Sequence, residues 1–80
     1  MEEFYLINKK RNRVKRFKKF QSNIPQTKKL IEIAYGCVYK SSSQPIMKGS
    51  RVESIEDARK EYKILLEEGW KRTSIFNHYL

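Results

Sequence analysis

A single cysteine, Cys37, in a chain of 80 residues is the tightest constraint on this fold. Small domains bury a low fraction of their surface and often rely on disulfides or a metal for stability. One cysteine closes no intrachain disulfide, and one histidine, His78, leaves too few ligands for a structural zinc site. The chain must therefore fold by burying apolar side chains, alone or against a partner. Ten aromatic residues supply the material: Phe4, Tyr5, Phe17, Phe20, Tyr35, Tyr39, Tyr62, Trp70, Phe76 and Tyr79. The length allows one small domain, expected over 1–72, with 73–80 as a C-terminal tail. No apolar run nears the roughly 18 residues of a membrane span. Met1-Glu2-Glu3 opens acidic, with no apolar stretch behind it to make a signal peptide. A lone thiol suits a reducing compartment. A cytoplasmic location is expected.

The clearest element is a helix over about 54–68. Ser54 followed by Asp57 makes an N-terminal cap, and Glu56 and Asp57 suit the positive end of the helix dipole. Ile55, Ala58, Tyr62, Leu65 and Leu66 recur at helical spacing and make one apolar face. Gly69 suits the left-handed residue that ends a helix, and Trp70 then turns back onto Leu65 or Leu66.

The remainder reads as strand. Phe4–Ile7 and Arg13–Phe17 flank the polar stretch Asn8–Asn12, as in a β-hairpin. Val14 and Phe17 lie three apart, so a bulge is expected to bring them to one face. A basic amphipathic helix, with Phe4, Ile7, Val14 and Phe17 on one side, is the competing reading. Asn8 and Asn12 argue against it, because asparagine is poor in helix interiors. Residues 21–28 contain Pro25 and read as a loop. Ile31, Ile33, Tyr35, Cys37 and Tyr39 alternate like a half-buried strand, although Leu30, Ile33, Ala34 and Cys37 would also align on a helix. Gly36 marks a bulge or a close backbone approach. Ser41–Ser43 break the pattern, and a short last strand interrupted at Gly49 follows over 46–52. The fold class expected is α+β: a small antiparallel sheet of three to four strands with one C-terminal amphipathic helix packed on one face.

The formal net charge is +9, and it is unevenly placed. Residues 1–20 carry a net +6, 21–52 a net +4 and 53–80 a net −1. A clustered positive field attracts polyanions. The candidate nucleic-acid surface is Lys9, Lys10, Arg11, Arg13, Lys15, Arg16, Lys18 and Lys19, with Tyr5 and Phe17 beside it to stack on exposed bases. No helix-turn-helix, zinc-finger or RNP-type motif is present to read bases specifically. A solvated surface and a membrane-surface patch are the other readings of the same charge. The alternative function is a protein-interaction adaptor, using Trp70, Phe76 and Tyr79 on an acidic protein surface or in a homodimer. No cofactor, metal or catalytic residue is expected. Cys37 and His78 fall on different elements, and Glu67-Glu68 and Glu56-Asp57 are adjacent helix residues that diverge by about 100°.

Two stretches carry a resemblance. Phe4-Tyr5-Leu6-Ile7 followed by Val14-Lys15-Arg16-Phe17 resembles the opening hairpin of a small marine-cyanobacterial protein family. Glu56-Asp57-Ala58-Arg59 followed by Leu65-Leu66-Glu67-Glu68-Gly69-Trp70 resembles that family's closing helix, with its Ala-Arg and Leu-x-x-x-Gly-Trp pattern. Arg51 stands where the family has an arginine before the helix. The family is a domain of unknown function, so the resemblance implies no activity. A more distant similarity is to the WGR domain of nucleic-acid-binding proteins, in which Ala58 and Gly69-Trp70 would correspond to its helix start and Gly-aromatic end. The Trp-Gly-Arg signature is absent from 30–40. That likeness implies only sheet-plus-helix packing.

Overall fold

The structure, a computed structural model, describes residues 3–20, 29–39 and 44–73. These form strands β1 (Phe4–Ile7), β2 (Arg13–Lys19), β3 (Leu30–Cys37) and β4 (Ile46–Ser54), helix α1 (Ile55–Glu67) and strand β5 (Lys71–Thr73). The strands make one antiparallel sheet in the order β4-β3-β2-β1-β5. Residues 21–28, 40–43 and 74–80, with the expected loop, serine run and most of the tail, lie outside the described residues. Among the described residues, no helix is long and apolar enough to cross a membrane.

Residues 4–17 are a hairpin, not a helix. Asn8 organises its tip. The Asn8 Oδ1 accepts from the backbone N–H groups of Asn12 (2.9 Å) and Arg13 (3.0 Å), and its Nδ2 donates to Asn12 Oδ1 at 2.7 Å. The Arg11 N–H donates to the Asn8 carbonyl, closing a β-turn. Arg11 takes a positive φ of 58°.

The expected bulge in β2 does not exist. Phe4 pairs with Phe17 and Ile7 with Val14 in unbroken register. Both residues are buried because the sheet is buried on both faces. Side chains alternate across a strand, so Phe17 joins Leu6, Ile31, Ile33, Ala58 and Leu65 under the helix. Val14 joins Tyr5 and Ile7 on the reverse face, against Val38 and Met47. Leu6, Ile33 and Val14 are the most deeply buried, and each contributes about 1.5–3 kcal/mol by leaving water. Phe4 and Phe17 stack at 5.4 Å, and Tyr62 meets both edge-on at 5.6 and 6.0 Å, fixing the helix over the hairpin.

The helix begins and ends where its capping residues stand. The Asp57 N–H donates to Ser54 Oγ at 3.2 Å. At the other end Gly69 has φ 97°, its N–H donates to the Leu66 carbonyl, and the Trp70 N–H reaches back to the Leu65 carbonyl. This is a Schellman ending, and Trp70 packs against the core cluster that contains Leu65. Leu66, expected in the apolar face, is 42% exposed because it diverges from Leu65 around the helix.

The sheet has five strands where three to four were expected. The turn at Gly69-Trp70 aims the chain back along the open edge of β1, where Lys71–Thr73 pair as β5. Thr73 therefore belongs to the sheet. The Arg72 guanidinium lies over the Phe4 ring at 4.2 Å. A run of Lys-Arg-Thr shows no apolar alternation, so only the turn announces this strand. The segment 46–54 is continuous through Gly49. The register with β3 shifts between Tyr35 and Gly36, and Lys48 is the extra residue of a bulge.

Gly36 is both the bulge site and a close approach. A Cβ there would lie 2.4 Å from the Ile46 carbonyl oxygen and 2.8 Å from the Met47 Cα, both backbone atoms. Gly36→Ala is therefore expected to destabilise the fold by about 2–3 kcal/mol. A fall in the urea midpoint is the expected readout, and an unchanged midpoint would show that β3 and β4 do not meet here.

Candidate nucleic-acid interface

The register disperses the basic run over three surfaces. Lys9, Lys10 and Arg11 are exposed at the hairpin tip. Arg13, Lys15 and Lys19 stand on the helix side of β2, with Phe17. Arg16 and Lys18 stand on the reverse face. Arg13, Lys15 and Phe17 thus share one face. Two of the cations are committed to internal partners. The Lys15 Nζ donates to Glu61 Oε2 at 2.9 Å, and Arg16 meets Glu32 at 3.2 Å and Glu3 at 3.8 Å. Tyr5 and Phe17, placed by the sequence as stacking rings, are 5% and 2% exposed. Their faces are covered by the two cores, so neither reaches a base.

Arg13, Lys15 and Trp70 join Tyr35 and Lys48, which the sequence did not single out, in lining a groove. Beyond the end of α1, the helix side of the sheet is open, and a groove of about 520 Å³ lies there. Arg13, Lys15 and Lys48 bring positive charge to it, Tyr35 and Trp70 bring aromatic surface, and Glu68 stands at its rim. Each is held by a local cause. Lys48 is the extra residue of the β4 bulge, and bulges re-aim side chains. Trp70 is fixed by the helix ending. Tyr35 stands opposite Gly49 in the ladder, and a Cβ on Gly49 would fall 2.7 Å from the Tyr35 hydroxyl. The Tyr35 ring therefore lies across the β4 backbone, supported by it and 49% exposed.

A second concavity of about 420 Å³ adjoins the first through Arg13, Glu68 and Trp70, and adds Lys9 and Lys10. The Lys9 stem lies close over Gly69. The two hollows make a cationic track from the hairpin tip to the β4 bulge.

Glu61 sets the charge at the inner wall. It binds both Lys15 and Arg51, and Arg51 also meets Glu53 at 2.8 Å. Burial lowers the pKa of the Lys15 ammonium below its ordinary value, the Arg51 guanidinium lowers it further, and Glu68 opposes both. The Lys15 Nζ also lies 6.0 Å from the centre of the Trp70 ring. Cys37 is half-buried and lines the groove. His78, Phe76 and Tyr79 lie outside the described residues, which leaves Trp70 as the described member of the expected interaction hook.

Only a pattern of paired residues could have revealed the groove. A tyrosine directly across a ladder from a glycine lies over it, but the pairing must be known first. Gly49→Ala is expected to tilt the Tyr35 ring away while costing less stability than Gly36→Ala, because a side chain can yield where a backbone cannot. Near-ultraviolet circular dichroism and urea unfolding check this, and equal losses at both glycines would refute it. No family model, curated protein or solved structure matches the chain, and its function has to be argued from the groove itself.

Proposed function

We propose that this chain is a small, non-enzymatic accessory protein that binds nucleic acid without strong sequence preference. The observation that carries the reading is the convergence of the exposed cations Arg13 and Lys48 on one open groove, continued by Lys9 and Lys10, with the Glu61-paired Lys15 on its inner side. Phosphate binding needs several cations along one path, and the counterions they displace drive association. The path crosses the helix side of the sheet instead of following one hairpin face. The reverse face carries Lys18 and Lys71 but pairs Arg16 with acids, and its centre is the Tyr5, Ile7 and Val14 cluster. The exposed positive charge is thus denser along the groove.

Two double variants with equal charge loss separate the faces. Arg13→Ala with Lys48→Ala is expected to weaken binding of a labelled oligonucleotide and to lower its salt slope by about 1.4 on a single strand. Lys18→Ala with Lys71→Ala should have a smaller effect on both. Fluorescence anisotropy at several salt concentrations is the measurement. Equal losses from the two variants would place binding in the net charge and not in the groove. Polyglutamate serves as a competitor: displacement of the oligonucleotide at equal charge concentration would favour an acidic protein partner.

Cys37 gives an independent location test, since it is the single cysteine and lines the groove. Bound oligonucleotide should slow its alkylation by iodoacetamide severalfold. An unchanged rate with oligonucleotide bound would put the ligand elsewhere.

A further inference from the structure

We infer that the groove is built for an unpaired nucleobase, with the ring of Tyr35 as the stacking platform, so that the protein prefers single strands to duplex. This rests on the nucleic-acid reading above and names the substrate class of the same groove.

Gly49 makes room for the ring. A glycine in a strand interior weakens it, and here it also leaves the sheet surface open under a neighbouring ring. Tyr35 crosses that space with the hydroxyl end of its ring over Gly49, and it lines the groove while 49% exposed. An aromatic ring that is half exposed and braced against the strand beneath its hydroxyl end offers surface for stacking. Trp70, which the helix ending holds against the core, lines the same groove. Around these rings stand Arg13, Lys15 and Lys48. Cations repel a positively charged aromatic ligand and attract one that carries negative charge. A planar ring joined to phosphate satisfies both features, and a nucleotide has that composition. The volume of about 520 Å³ falls within the roughly 300–1,000 Å³ of small-molecule sites, enough to admit a base.

The neighbouring concavity turns this single site into a strand site. It shares Arg13 and Trp70 with the first and carries Lys9 and Lys10 onward. Successive phosphates would follow that path while one base stays over Tyr35. In a duplex the base faces are hidden by their neighbours, and the ring at the floor of the groove finds nothing to stack on.

The test compares three probes on the wild-type protein: oligothymidylate of about twelve nucleotides, an abasic strand of the same length and charge, and a duplex. Anisotropy gives affinities, and the fluorescence of Trp70, the single tryptophan, reports the groove. Oligothymidylate should bind roughly tenfold tighter than the abasic strand and tighter than the duplex. It should quench Trp70, while the abasic strand should not. Tyr35→Val should reduce oligothymidylate binding to the abasic level, and Tyr35→Phe should retain the wild-type preference. Equal affinity for the base-bearing and abasic strands overturns the stacking inference and leaves phosphate binding standing. Equal or tighter binding of duplex also overturns it. Binding of all three probes no better than by an unrelated protein of similar charge overturns the nucleic-acid reading itself.

Discussion

The burial of both faces of β2 governs the rest of the molecule. Its sequence, Arg-Val-Lys-Arg-Phe-Lys-Lys, holds five cations among seven residues. A strand so charged belongs by composition at a sheet edge, where lysines commonly stand in water. Here it is the central strand, between β1 and β3. Val14 and Phe17 hold it there by entering opposite cores. The cations between them must then be neutralised or carried to a margin. Lys15 and Arg16 flank the buried positions and find Glu61 and Glu32. Arg13, Lys18 and Lys19, toward the ends, remain exposed. The surface field is therefore not the linear charge pattern. It is that pattern after the two cores have consumed part of it.

A mismatch of lengths makes the groove. Thirteen helical residues extend about 20 Å, whereas the nine residues of β4 extend about 30 Å. The helix covers the end of the sheet that carries Phe4, Phe17, Ile31 and Ile33, and it stops short of Tyr35 and Cys37. Gly69 and Trp70 then close one side of the open area instead of extending the cover. The two glycines of the β3–β4 pair act at this same place. Gly36 lets the strands approach at the bulge, and Gly49 lets Tyr35 lie down. Glu61 clamps β2, β4 and the helix together at the boundary between covered and open sheet.

Elements specified by local rules were legible. The helix ends follow from Ser54 and Gly69-Trp70, and the hairpin follows from Asn8 and Asn12 between two β-prone runs. What depended on pairing was not. One face was assumed for Val14 and Phe17 because the sequence shows spacing, not how many faces are covered. Strand β5 forms because β1 has an open edge, a fact that belongs to the sheet and not to Lys71–Thr73. The choice of Tyr5 and Phe17 as stacking rings followed from adjacency to charge. Adjacency in sequence places a β-strand neighbour on the opposite face, and here both rings went inward. Tyr35 and Lys48 could be joined only by the register, which sets them beside each other across a bulge.

On the proposed nucleic-acid reading, the chemistry of the track argues for weak sequence preference. Base edges are commonly read by asparagine, glutamine or arginine in paired hydrogen bonds. Asn8 and Asn12 line the second concavity, yet the Asn8 amide and the Asn12 Oδ1 are already engaged. Asn8 Oδ1 accepts two backbone N–H groups, and Asn8 Nδ2 donates to Asn12 Oδ1. Turning either amide to a base would open the hairpin tip. Among the remaining lining groups, the lysines answer to phosphate, the rings answer to any planar face, and Arg13 can serve either a phosphate or a guanine edge. Stacking tolerates every base, because each has a π-face. Glu68 at the rim opposes phosphate locally and leaves the approach between Arg13 and Lys48 as the favoured line. The amides that could have given specificity are instead the cost of holding Lys9 and Lys10 at the mouth of the groove.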